Sequence, residues 1–260
     1  KGTYSELACK KNFGSSVNSF ACKTIPEIFE TISDENSYGI VPLENSTEGA
    51  VNATLDALQN TELNICGELE MPIRHSLLAP QSALENIKTV FGHQQSLAQC
   101  KNKLSNFLPK AKVVPVESSG LALKKASSKR SNACIAHETF ANANDLKVVK
   151  KNIEDQKNNT TRFIILGKSS PLKSGIDKTS IIISLENRPG ALSKILKIFE
   201  FSKINLNYIQ SRPSKMDKWN YSFFLDFEGH ADTLKIKNLL SKLEKSSNSL
   251  KLLGSYPKAL

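Results

Sequence analysis

From residue 179 onward the chain runs through apolar and amphipathic stretches in one order. A strand over 179–185 is followed by the turn Asn187-Arg188-Pro189-Gly190, a helix over 191–200, a strand over 204–211, a polar turn, a strand over 220–227, a helix over 232–243 and a strand over 250–254. Leu192, Ile195, Leu196 and Phe199 share one face of the first helix; Ile236, Leu239, Leu240 and Leu243 share one face of the second. Two helices and four strands in the order βαββαβ form a ferredoxin-like unit, with both helices on one face of an antiparallel sheet. A sheet with a bare face or an unpaired edge usually finds a partner. The segment therefore reads as an association or ligand-sensing module, and it holds no catalytic constellation.

The residues before it alternate short apolar runs with helical patterns. Strands are expected over Tyr38–Leu43, Thr89–Phe91, Val113–Val116, Ala133–Ala136 and Phe163–Leu166. Thr24-Ile25-Pro26-Glu27 is a capping box, followed by Ile25, Ile28, Phe29 and Ile32 on one helix face. Further helices are expected over 50–58, 96–107 and 119–129. The alternation argues for an α/β domain with largely parallel sheets, whose ligands sit on loops beyond the strand ends. Pro171, Gly175 and several Ser and Lys mark 169–178 as a linker, so the expected organisation is 1–168, linker 169–178, then 179–260.

Composition narrows the function classes. Hydrophobic residues at 39% and charged residues at 23% exclude disorder, and no apolar run reaches the roughly 18 residues of a membrane span. The net charge of +10 comes from 35 basic residues against 25 acidic ones, and only five of the basic residues are Arg. Nucleic-acid readers lean on clustered Arg, so the excess reads as solvated Lys faces, with at most a weak pull on an anionic small substrate. Five Cys with no C-x-x-C pair and four scattered His argue against a disulfide framework or a metal site and favour a reduced, cytoplasmic compartment.

Four polar clusters fall at expected element ends: Gly2-Thr3-Tyr4-Ser5, Glu44-Asn45-Ser46-Thr47-Glu48-Gly49, His93-Gln94-Gln95 with Gln99, and Asn159-Thr160-Thr161-Arg162-Phe163. Each has a plain structural explanation: Ser46 or Thr47 as a cap for the helix at 50–58, His93 as a loop histidine. A site rich in hydroxyls and amides with one Arg suits a small carboxylate that needs orientation rather than hydrolysis. No G-x-S-x-G motif is present, so serine-hydrolase chemistry finds no support.

Gly2-Thr3-Tyr4-Ser5, Val41-Pro42-Leu43-Glu44-Asn45-Ser46, Glu48-Gly49, Leu97-Ala98-Gln99-Cys100 and Asn159-Thr160-Thr161-Arg162-Phe163 resemble prephenate dehydratase. Gly190-Ala191-Leu192, Ser211-Arg212-Pro213, Phe227-Glu228-Gly229-His230 and Leu253-Gly254-Ser255-Tyr256-Pro257 resemble the ACT domain appended to those enzymes. The motifs run in register over essentially the whole chain. The resemblance implies a two-lobed α/β dehydratase domain similar to bilobal solute-binding proteins, with its site in the cleft between the lobes, plus a regulatory ACT domain. It implies conversion of prephenate to phenylpyruvate with loss of water and carbon dioxide, no cofactor and no metal. It also implies inhibition by L-phenylalanine bound at an ACT dimer interface, in a homodimer or homotetramer. The family's first strand would precede Gly2, so a strand or a longer segment (in some relatives a chorismate mutase domain) is expected upstream.

Carried over residue by residue, Thr161 is the hydrogen-bond donor to the leaving hydroxyl. Arg162 either grips a carboxylate or braces the strand end from outside the site, and Phe163 is core. Asn45 and Ser46 bond the substrate, with Glu44 orienting them, and Gln99, one helical turn past Gln95, reaches into the cleft. Thr3 and Ser5 open a helix whose N–H groups suit a carboxylate. Ser118 and Ser119 match a polar segment of the family, with Ser119 equally readable as a cap. The effector residues are Asn187, Gly190, Ala191, Leu192, Asn205, Gln210, Ser211, Arg212 and Pro213. Four positions depart from the family: Gly92 and Gln94 stand for the serine and proline of Ser-His-Pro-Gln, Gln210 for a glutamate, and Ser193 for an aliphatic residue. Two other readings remain, arogenate dehydratase and a non-catalytic amino-acid sensor; the sensor has no need of Thr161.

Overall fold

The computed structural model describes residues 2–14, 16–213 and 221–259. In chain order the elements are α1 (Tyr4–Phe13), α2 (Ile25–Thr31), β1 (Gly39–Asn45), β2 (Gly49–Ala50), α3 (Asn52–Gln59), β3 (Asn64–Pro72), β4 (Ser76–Ala79), β5 (Thr89–His93), α4 (Gln94–Gln99), α5 (Lys101–Phe107), β6 (Lys112–Val116), α6 (Ser119–Ser127), β7 (Asn132–Ala136), β8 (Lys147–Lys150) and β9 (Thr160–Gly167). The C-terminal domain follows as β10 (Asp177–Leu185), α7 (Ala191–Ser202), β11 (Leu206–Pro213), β12 (Tyr221–Glu228), α8 (Leu234–Glu244) and β13 (Ser249–Pro257). The polar turn expected before β12, and residue 220 of that strand, lie outside the described residues.

These elements form two compact units. The first joins residues up to Ala21 with Met71–Thr160; the second joins Cys22–Glu70 with Thr161 onward. The first unit holds a five-stranded sheet in the order β6-β5-β7-β4-β8. Its β5 pairs in parallel with β6 and β7, while β4 pairs antiparallel with β7 and β8. The sheet is thus mixed rather than largely parallel: helices link β5 to β6 and β6 to β7, whereas β4 follows directly on β3 of the other sheet and β8 follows β7 through two short 3-10 helices. The helix expected over 96–107 is two helices, broken where Cys100 takes φ −117° and ψ 8°.

In the second unit, β1, β2, β9 and β3 form a four-stranded sheet in the order β2-β1-β9-β3. β1 runs antiparallel to β9, opposing Asn45 to Thr161 and Glu44 to Arg162. The capping box at Thr24 and Glu27 forms as expected. By contrast, α3 follows Val51 with no side-chain cap, so neither Ser46 nor Thr47 caps it. Asn45 Oδ1 instead accepts from the backbone N–H groups of Thr47 and Glu48, at 3.0 and 3.1 Å, and shapes the turn.

The C-terminal domain is the expected βαββαβ sandwich, with sheet order β11-β12-β10-β13, all antiparallel. Ile181, Ile183 and Leu185 point into the core formed with α7 and α8. The face opposite the helices is not bare. Ile182, Phe224, Leu253 and Tyr256 share a second core with Val41, Leu43, Leu55, Ile65, Ile164 and neighbouring residues, so that face is covered by the β1–β9 sheet of the same chain. Alternate residues of β10 thus feed two cores, and nearly the whole strand is buried. Gly254 (φ +147°) lies in the seam: a Cβ there would come within 2.3 Å of the Ile65 carbonyl oxygen.

Among the described residues no helix is long and apolar enough to cross a membrane, and no group of three His, Cys, Asp or Glu side chains is placed to hold a metal.

Candidate active site

In the second unit, the end of β1 and the start of β9 bring Asn45 and Thr161 together. Both are buried. Asn45 Nδ2 donates to Thr161 Oγ1 at 2.8 Å. The hydroxyl accepts this bond, so its own proton is directed elsewhere, and Asn45 is fixed by the two backbone bonds to its carbonyl oxygen. Glu44, opposite Arg162, is half-buried, and burial raises its carboxyl above its ordinary pKa against the pull of the guanidinium. Ser46 lies exposed in the turn.

Arg162 faces inward. Its Nε lies 2.7 Å from Glu68 Oε2 and its Nη2 donates to Tyr256 Oη at 3.1 Å. Its Nη1 lies 2.6 Å from Asp226 Oδ2, an ion-pair contact without hydrogen-bond alignment. Burial pulls the guanidinium pKa down, but Asp226, Tyr256 and Glu68 outweigh it and hold the group above its ordinary value. All three guanidinium nitrogens are thus engaged by side chains of the same chain.

In the first unit, Gln99 ends α4. Its Oε1 meets His75 Nε2 at 2.9 Å and accepts from Asn159 Nδ2 at 3.1 Å. An amide oxygen occupied on both sides fixes the direction of the amide nitrogen. His75 is buried; its Nδ1 lies 3.3 Å from the Tyr4 hydroxyl, which donates to the Arg74 carbonyl. The His75 backbone N–H donates to the buried carboxylate of Glu154 at 2.9 Å. Burial holds the imidazole below its ordinary pKa despite the Gln99 bond and the Glu154 charge, so it is neutral near pH 7. Thr3 caps α1 by accepting from Glu6 N at 3.3 Å, and Gly2 N donates to the Glu6 carboxylate, so the chain itself already uses part of that helix start. Gln95 lies in the first turn of α4, its N–H donating to His93 Nδ1 at 3.4 Å. Ser118, not Ser119, caps α6, through Leu121 N at 3.2 Å.

The expected effector residues lie on the loop into α7 and along β11. Gly190 (φ +81°) and Ala191 open α7. Arg188 and Ala191 line a cavity of about 160 Å³ with Glu186 and Lys194. Arg212 donates from Nε and Nη2 to Asp56 Oδ1 on α3, at 3.0 and 2.8 Å. A larger cavity of about 410 Å³ in the first unit is lined by Val90, Leu97, Leu104, Leu108 and Val113, with Lys101 and Ser105 its only polar side chains. That lining cannot orient a polar dianion, and no expected site residue belongs to it. Burial raises the Cys66 thiol to about 11 and Cys134 to about 12, so neither supplies a thiolate at neutral pH.

Sequence reasoning passed over His75, Glu154, Glu68 and Asp226. Tyr4 and Asn159 stood inside quoted motifs without roles. An isolated buried His or Asp carries no local signal, because its partners are remote in sequence.

The family model for prephenate dehydratase matches residues 1–171. The chain belongs to the prephenate dehydratase family. The ACT-domain model matches 179–245. The chain is 42% identical to the bifunctional chorismate mutase/prephenate dehydratase of Pseudomonas aeruginosa, over all of this chain and 72% of that protein. It is 39% identical to the prephenate dehydratase of Methanocaldococcus jannaschii, over 99% of this chain and 95% of the other. It is also similar to the crystal structure of the Arthrobacter aurescens prephenate dehydratase in complex with L-Phe, with a TM-score of 0.91 and 32% identity over 99% of this chain and 87% of that one. Family membership makes the chain a carbon–oxygen lyase acting on prephenate, with an ACT domain.

Proposed function

We propose that Thr161 is the proton donor to the departing ring hydroxyl of prephenate, with Asn45 holding its oxygen in place. The observation that carries this is the 2.8 Å bond from Asn45 to Thr161: it occupies a lone pair of the hydroxyl and leaves the proton to donate. When the ring C–O bond breaks, the oxygen leaves with the bonding pair and takes up one proton to become water. The bond from ring to carboxylate breaks in the same process, its electron pair completes the aromatic ring, and carbon dioxide departs. Aromatisation supplies the driving force, so the residues need only stabilise the developing charge on oxygen and hold the carboxylates. Gln99, oriented by His75 and Asn159, contributes its amide as a donor to substrate. Gln95, Ser46, Thr3, Ser5, Ser118 and Ser119 are assigned weaker polar contacts, and Glu44 an orienting role.

L-phenylalanine is the effector, taken at Asn187–Leu192, Asn205 and Gln210–Pro213 in a homodimer or homotetramer formed through the ACT domain. The location is cytoplasmic, in keeping with five cysteines free of disulfides. The expected domains are 1–168 for dehydration and 179–260 for regulation, joined by 169–178.

The test is turnover of prephenate, followed as phenylpyruvate, in Thr161→Ala. Loss of one preorganised donor lowers kcat by about 10²- to 10³-fold while phenylalanine binding, read by calorimetry, is kept. Unchanged kcat removes the donor role. Parallel assays with arogenate identify the preferred substrate.

A further inference from the structure

Thr161 and Arg162 are consecutive on β9, so what fixes one constrains the other. Every strand of the C-terminal sheet sends a side chain to the Arg162 guanidinium or to a group bonded to it. β12 supplies Asp226 and β13 supplies Tyr256, in the contacts given above. β10 supplies Ser180, whose Oγ donates to Asp226 Oδ1 at 2.6 Å and lies 2.6 Å from Tyr256 Oη, and Lys178, whose Nζ lies 2.7 and 2.9 Å from the two oxygens of Glu68. β11 supplies Tyr208, its ring centroid 5.9 Å from Arg162 Cζ. The same strand carries Gln210–Pro213. Two carboxylates and two cations balance in a cluster whose charged side chains are at most 10% exposed. Water cannot compensate a buried ion that loses its partner, so the guanidinium must follow its carboxylates when the sheet shifts.

We propose that Asp226 and Tyr256 are positioning residues for the dehydration, acting through Arg162 on Thr161, and that an effector bound to the C-terminal domain is felt at Thr161 by this route. The proposal rests on the donor role of Thr161 and on phenylalanine as effector. Both are assigned to act without a contact to substrate. A strand shift of a few tenths of an ångström moves Arg162, and with it the β9 backbone that aims the Thr161 hydroxyl. Small misplacements of that kind are costly to rate.

The experiment uses the full chain. Tyr256→Phe removes the hydroxyl contacts to Arg162 and Ser180 without changing charge; Asp226→Asn removes the ion pair. For each variant the readout is the ratio of phenylalanine affinities with and without substrate, alongside kcat, KM and melting temperature. In the wild type this ratio is expected at about 5- to 150-fold; in both variants it falls to about 1 while phenylalanine still binds. Leu239→Ala, on the helix side of the same domain, lowers the melting temperature and keeps the wild-type ratio, which separates positioning from loss of stability. Ser180→Ala carries the same expectation as Tyr256→Phe if that variant does not fold. Wild-type coupling in the folded variants, or its equal loss in Leu239→Ala, overturns the proposal alone. A wild-type chain whose turnover ignores phenylalanine overturns the regulatory reading with it.

Discussion

Thr161 and Arg162 stand side by side in one motif and meet different partners: Asn45 for the threonine, and Glu68, Asp226 and Tyr256 for the arginine. Arg162→Ala leaves Glu68 and Asp226 short of a countercharge in a nearly dry cluster, and is expected to cost about 3–5 kcal/mol of stability. Chemical denaturation measures it; a loss under 1 kcal/mol would mean that water enters the cluster. His75 gives a pH signature. Its pKa in the folded chain lies below the unfolded value, so the unfolded chain takes up the proton first. Its contribution is fully present above about pH 6.5 and is lost as pH falls through that value toward the folded pKa. The wild type should therefore lose more stability than His75→Asn between about pH 7 and 5.5, a window above most carboxylate titrations. Equal slopes would mean that His75 is not held neutral. Thr161 and Asn45 could be singled out because their motifs are local, but not the bond between them, which spans 116 residues. Glu68 could not, since its partner Arg162 lies 94 residues away.

Elements were read well where period and punctuation agreed, as at α2, β5, α7 and α8, and poorly where one rule met another. Four-residue strands such as β4 and β8 are too short for periodicity to register. β3 carries Gly67 and the buried Glu68, which break the apolar alternation that would have marked it. At α6 the side chain of Ser118, rather than that of Ser119, reaches the helix N–H groups, a one-residue choice that only backbone geometry decides. Ser118→Ala should cost about 0.5–2 kcal/mol, read from the melting curve. Gly254 has a stronger effect. Its backbone runs against Ile65 where no Cβ fits, at a φ that favours glycine. Gly254→Ala is expected to lose at least about 1–3 kcal/mol by forcing β13 and β3 apart. An unchanged melting temperature would mean that the seam yields.

At the scale of the molecule, the ACT domain is held by more than the segment 169–178 that leads into it. Ile182, Phe224, Leu253 and Tyr256 complete a core begun by Val41, Leu55 and Ile164. A chain cut before residue 177 would expose that core and leave Arg162 without Asp226 and Tyr256. It is expected to melt well below the full chain and to bind a hydrophobic dye; matching melting temperatures would show the shared core to be dispensable. The interrupted path of the chain also bears on how it comes off the ribosome. β1 must pair with β9, and Asn45 reaches its partner Thr161 only 116 residues later. Every piece of the first unit has been made by residue 160, so that unit can close while residues 22–70 still wait with open strand edges. Long-range closure of this kind is slow, and the waiting β1 edge is where a chaperone, or another nascent chain, would find the protein first.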